Sequence, residues 1–189
     1  MADLRDLQGD LKTIYPHRYI EPRLHSTSLV VPGAHVIGDV TMGQESSLWF
    51  NSILRGDVNY IRVGDRTNIQ DLTMVHVSYK ANPTIIGNDV TVGHACVLHA
   101  CTIKDFALIG MGSLILDEAE IGEYVLLGAG SLVTQKTKIP PGTKAFGRPA
   151  KVVGDLTEKE MESLKFSAAH YVKLAKTYLS ATRSSSIGK

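Results

Sequence analysis

The chain has 189 residues, a net charge of +1 and only 6% aromatic residues. Its length suits one domain, and the near-neutral balance without a basic stripe argues against nucleic-acid binding. No apolar run is long enough to span a bilayer, and the start, with Asp3, Asp6 and Asp10, lacks the apolar centre of a secretory signal, so a cytoplasmic location is expected.

Residues 1–29 read as an N-terminal extension. From Val36 a six-residue unit begins, an aliphatic residue often followed by Gly with a small or β-branched residue four places on: VIGDVT, MGQESS, LWFNSI, LRGDVN. A three-residue insertion before Val63 resets the frame, giving VGDRTN, IQDLTM and VHVSYK. From Ile86 the run continues as IGNDVT, VGHACV and LHACTI, and after a one-residue slip it resumes at Ile103 and continues through IPPGTK. A period this short overrides local propensity. Its Val, Ile, Leu and Thr content suits short strands divided by Gly, Asn or Asp corners. If each unit makes one side of a three-sided prism, a coil takes about 18 residues, and parallel strands stack about 4.8 Å apart. The predicted class is therefore an all-β solenoid over 30–150. Regular hairpins of a flat sandwich are the rival, but Asn-Gly hairpin turns are missing.

The repeat stops after the Pro-Pro-Gly of 140–142 and the Gly147-Arg148-Pro149 segment. A C-terminal α-helix is predicted over 157–180. Thr157 and Glu160 have capping-box spacing, and Met161, Leu164, Ala168, Tyr171, Leu174, Ala175 and Tyr178 share one apolar face. It should pack along the prism or on a neighbouring subunit. The tail from Ser180 to Lys189 should fray. Without an internal linker, the three segments form a single domain.

Three histidines carry the chemical signal. His76 and His99 are each second in their unit and one coil apart, so their imidazoles should stack on one outward face, a reasonable bite for two ligands of one metal. His94 is third in a unit on the preceding side and points away across a corner. In a cyclic trimer, however, that edge can meet the His76/His99 face of a neighbour, giving three identical His₃ sites. Three neutral imidazoles suit Zn²⁺, Fe²⁺ or Co²⁺ and leave a coordination position for water. His17, His25, His35 and His170 have no such relation and read as surface or packing residues. Cys96 falls on an inward small-residue position and reads as a buried apolar side chain, with Cys101 near a corner.

Arg55-Gly56-Asp57 and Asn68-Ile69-Gln70-Asp71 place polar groups on the outer side of a coil. Arg55 is expected at a subunit interface, bridging to Asp57 or Asp71 of a neighbouring subunit. Gln70 suits a hydrogen bond to metal-bound solvent.

Together the RGD at 55–57, NIQD at 68–71, His76, and the H-x₄-H of His94 and His99 resemble the γ-class carbonic anhydrases of the hexapeptide-repeat proteins. The match covers nearly the whole chain. The resemblance implies a left-handed parallel β-helix and a homotrimer with metal ligated by His76 and His99 of one subunit and His94 of the next. It also implies Arg55, Asp57 and Asp71 as interface ion pairs, Gln70 and Asn68 near the metal-bound solvent, and Tyr171 approaching the site. Two departures matter: Val58 stands where highly active members carry glutamate, and the 77–84 loop lacks their acidic extension with its proton-shuttling glutamate. The chain thus resembles a short-loop subgroup.

The implied function is reversible hydration of carbon dioxide to bicarbonate by a zinc-dependent lyase, with low activity as the expected consequence of the missing shuttle. A hexapeptide acyltransferase using one histidine as base, a thioester hydrolase and a non-enzymatic trimeric metal-binding protein are the alternatives.

Overall fold

The computed structural model describes residues 10–184, with side chains through Ser180. Residues 1–9, which include Asp3 and Asp6, and residues 185–189 of the predicted tail lie outside the described residues.

The six-residue period folds as predicted into a three-sided parallel solenoid. Each side contributes two or three residues of strand per coil, and the register repeats from coil to coil: Leu98 pairs with Val75 and Ile115, and Ile115 pairs with Val133. The inward member of each pair is aliphatic, so stacking builds ladders. Leu54, Val75, Leu98, Ile115 and Val133 form one; Val63, Ile86, Ile103, Ile121 and Ile139 form a second; Leu48, Ile69, Val92, Ile109 and Leu127 form the third. All are buried, and together they make one continuous core. Apolar side chains packed at crystal-like density exclude water along the whole axis.

Two of the three sides are joined into an eleven-stranded sheet by Ile53–Val63, one long strand that bends around a corner; the third side is a separate eight-stranded sheet. The sequence insertion is absorbed here. Along the neighbouring strand His35–Met42 the pairing passes from Gly38↔Gly56 to Val40↔Ile61, so residues 57–60 stand out of the ladder. Gly38, at φ +77°, is needed for this close approach, because a Cβ would meet the Gly56 carbonyl at 2.3 Å.

The corners explain the absence of Asn-Gly signals. Twelve non-glycine residues among those described have φ between 48° and 62°, a conformation that costs about 1–2 kcal/mol per residue in isolation. Along one edge, the N–H of Arg66, Asp89, Phe106 and Tyr124 donates to a carbonyl of the previous coil, at 2.7–3.0 Å. The stack of corners, not the local sequence, stabilises the turn.

The solenoid ends in the antiparallel hairpin Thr143–Gly147 and Ala150–Asp155. The helix Glu158–Ser184 then runs back over the eight-stranded sheet, crossing Leu29–Val30, Ser47–Leu48, Asn68–Ile69 and Thr91–Val92. The capping box is present, Thr157 N–H donating to Glu160 Oε2 at 2.8 Å and Glu160 N–H to Thr157 Oγ1 at 3.3 Å. Leu164, Ala168 and Ala175 are buried as the apolar spacing predicts. Helical structure continues past residue 180 to Ser184.

Candidate metal centre

The coil register that stacks Leu98 on Val75 also pairs His99 with His76. Their side chains point outward on the same prism side, with ring centroids 5.2 Å apart and His76 Nδ1 only 3.2 Å from His99 Nε2. Each ring's other nitrogen meets a carboxylate from an adjoining coil. His76 Nε2 lies 3.1 Å from Asp57 Oδ1, and His99 Nδ1 lies 2.6 Å from Asp117 Oδ1. Asp57 reaches its place because residues 57–60 bulge out of the ladder, and Arg55 Nη1 donates to its second oxygen at 2.8 Å. The second oxygen of Asp117 accepts the Ser78 hydroxyl. The result is one chain of contacts, Arg55–Asp57–His76–His99–Asp117–Ser78.

Electrostatics bear on His76 and on both carboxylates of this chain. Burial pushes the His76 pKa down, and the nearby Arg55 and His99 add to this against the hydrogen bond to Asp57 and its charge; the net shift favours the neutral ring. Burial alone would raise Asp57 and Asp117, but hydrogen bonds from Arg55 and His76, and from Ser78 and His99, hold both below the usual carboxylate range. A carboxylate beside a neutral imidazole takes the ring N–H. With each carboxylate accepting the N–H of its own ring, the two nitrogens that face each other would both present lone pairs.

His94 lies around the corner, on the side that carries Thr91–Val92, and its Nδ1 meets Asp71 Oδ2 at 2.8 Å. No group of three His, Cys, Asp or Glu side chains able to hold a metal occurs within one chain among the described residues. Gln70, Gly93 and His94 line a shallow groove with Ser167 of the terminal helix. Gln70 Nε2 donates to Asn68 Oδ1 at 3.0 Å, Asn68 Nδ2 donates to Thr91 Oγ1 at 3.0 Å, and Thr91 Oγ1 donates to Ser167 Oγ at 3.1 Å. This buried network leaves the Gln70 oxygen as the acceptor for any further partner.

The structure thus gathers Arg55, Asp57, His76 and His99 at one place and Asn68, Gln70, Asp71 and His94 at another. Tyr171 lies on the terminal helix, near enough to Asp71 of the second group to feel its charge. It packs edge-on against Trp49, centroids 5.5 Å apart, and burial together with the Asp71 charge holds its hydroxyl proton more tightly than usual. Asp117 and Ser78 were not predicted. The signal for Asp117 is its position 18 residues after His99, one coil on and at the same corner.

Solved structures similar to this parallel solenoid are left-handed β-helices of the hexapeptide-repeat class, and the chain shares their fold. A solved Bacillus cereus structure that carries a provisional acetyltransferase name superposes with TM-score 0.83 at 48% identity, covering 85% of this chain and 93% of that one. In sequence the chain is 45% identical to a carbonic anhydrase of Geobacillus kaustophilus, over 87% of this chain and 90% of the relative. It is 46% identical to the mitochondrial γ carbonic anhydrase 2 of Arabidopsis thaliana over 84% of its length, but spans only 59% of that longer relative. No family model matches it. The chain belongs to the γ-class carbonic anhydrase family.

Proposed function

We propose that the protein is a homotrimeric, metal-dependent enzyme that reversibly hydrates carbon dioxide to bicarbonate. In this reading His76 and His99 of one subunit and His94 of the next hold the ion. Family membership implies a metal; the residues of this chain fit one. Two nitrogens bound at about 2.0–2.1 Å to a tetrahedral ion lie about 3.3 Å apart, close to the 3.2 Å between His76 and His99. Facing lone pairs at that distance repel unless a cation or proton lies between them, and this pairing is the observation that carries the proposal. The all-imidazole donor set favours Zn²⁺ and admits Fe²⁺ or Co²⁺. When bound, such an ion supplies Lewis acidity and makes hydroxide available near neutral pH for addition to carbon dioxide.

The chain's own residues prepare that chemistry. Asp57 and Asp117 orient the two rings, and Asn68 turns the Gln70 amide so that its oxygen is free to accept a proton donor in the groove beside His94. The oligomer is supported by surface chemistry. Leu72, Val97 and Met111 are exposed apolar residues, 63%, 40% and 57% accessible, on the side and corner that carry the histidines, and such a patch marks a contact surface. Arg55 and Asp57 border it; Asp71 lies at its corner with His94. A cytoplasmic setting accords with two buried unpaired cysteines. No helix among the described residues is long and apolar enough to cross a membrane.

Acyl transfer is the weaker reading. It gives no purpose to the paired His76 and His99 nitrogens 3.2 Å apart, since a single histidine base needs no such partner. The test is stopped-flow carbon dioxide hydration with metal content determined on the same sample. Turnover should scale with metal per chain and vanish in His99→Ala; one metal per chain without turnover would refute the hydratase.

A further inference from the structure

The 77–84 loop, too short for an acidic extension, has a different use in this structure. Ser78 is held at both backbone groups, its N–H donating to the Asn82 carbonyl at 3.0 Å and its carbonyl accepting from Asn59 Nδ2 at 3.2 Å. Its hydroxyl is thereby aimed at Asp117 Oδ2, 39 residues further along the chain. Asp117 Oδ1 in turn meets His99 Nδ1.

The local sequence explains how Asp117 comes to this spot. From Leu98 to Ile103 the coil turns its corner one residue sooner than the next coil does from Ile115 to Ile121. The extra residue in the upper coil lets Asp117 reach back over the tighter corner beneath it, where His99 ends its strand. At the other end of the pair, Arg55 and Asp57 do the same for His76 from the coil below.

We propose that Asp117, held by Ser78 of the short loop, is a positioning residue that places the proton of His99 on Nδ1 and so turns its Nε2 lone pair toward the metal position. The loop is then a clamp on the ligand set, and its shortness is what brings Ser78 within reach of the corner. The proposal rests on the metal-centre reading given above, but it makes a separate claim about a tautomer that exists without metal. An unrestrained imidazole has no fixed preference strong enough to hold one nitrogen bare, and a carboxylate on the far nitrogen supplies it while raising ligand basicity.

Two readouts decide the matter. Long-range proton–nitrogen NMR of the metal-free protein should show His99 protonated at Nδ1 in the wild type and shifted toward Nε2 in Asp117→Ala. Asp117→Asn, whose amide oxygen still accepts, should restore the wild-type tautomer. Competition with a chromophoric chelator should show Zn²⁺ affinity falling about 10–100-fold in Asp117→Ala and by a smaller factor in Ser78→Ala, which leaves the His99 contact itself intact. An Asp117→Ala protein that keeps Nδ1–H and binds Zn²⁺ within about twofold of wild type, against the usual loss, would overturn the proposal. Should the wild type bind no Zn²⁺, the metal-centre reading fails, while the tautomer measurement still decides the role of Asp117.

Discussion

The inside and the outside of one prism side obey the same register with opposite chemistry. Inward, Val75 and Leu98 stack in a dry aliphatic ladder; one residue later, outward, His76 and His99 stack with their nitrogens 3.2 Å apart. The interior ladder is apolar, and the buried hydroxyls beside it, such as those of Ser52, Thr73 and Ser113, donate to backbone carbonyls of their own chain. The exterior is polar, and among the described residues it brings no third His, Cys, Asp or Glu into a metal-binding group with this pair. The difference teaches that the core supplies the precision: rigid ladders fix the spacing of two histidines, and the proposed centre takes its third from a neighbouring subunit.

Substitutions can break each side of that contrast separately. The largest effect is expected from His94→Ala, which should abolish metal binding, read by elemental analysis of the purified protein, while leaving thermal stability of the metal-free form unchanged. Next is Ile121→Ala. Ile121 is fully buried between Ile103 and Ile139, so its truncation should destabilise the fold by about 2–5 kcal/mol in chemical denaturation, with metal stoichiometry retained at low denaturant.

Arg55→Ala should act on the boundary between the two regions. The Arg55–Asp57 pair is partly exposed, and such pairs contribute roughly 0.2–1 kcal/mol, so trimer dissociation followed by analytical ultracentrifugation should shift by no more than about fivefold per interface. The smallest effect lies farthest from the site, at the helix cap. Backbone and hydroxyl hydrogen bonds from Thr157, with Lys144 between them in strength, hold the Glu160 carboxyl down at about 2. A carboxylate pKa lowered on folding contributes fully above its unfolded value of 4.5 and loses that contribution as pH falls through the folded value. Helix content by circular dichroism should therefore decline only between those limits, and Glu160→Gln should remove this dependence.

Much of the fold was readable because a six-residue period dictates register: once one coil is counted, every inward residue and the His76–His99 pair follow. The terminal helix was equally plain from its cap and apolar face. What escaped depends on corners. Asp117 and Ser78 meet His99 only because one corner is a residue shorter than the next, and no periodicity reports how far a side chain reaches across such a step. The sequence pointed Arg55 at Asp57 or Asp71 of a neighbouring subunit. Within the chain it meets Asp57, because residues 57–60 bulge out of the ladder, while Asp71 is occupied by His94. Tyr171 carries the apolar spacing of the helix, and its place beside Trp49 follows from that spacing as well as from any role near a site.

The most direct measurement is complementation between two inactive variants, His94→Ala and His99→Ala, unfolded together and refolded as mixed oligomers. A His94→Ala chain still offers His76 and His99, and a His99→Ala chain still offers His94, so each interface joining them in the right order is whole. A shared site predicts that metal binding and carbon dioxide hydration return to roughly a quarter of wild type for random cyclic assembly. If neither returns although the mixed oligomers form, the three histidines do not meet across a subunit boundary.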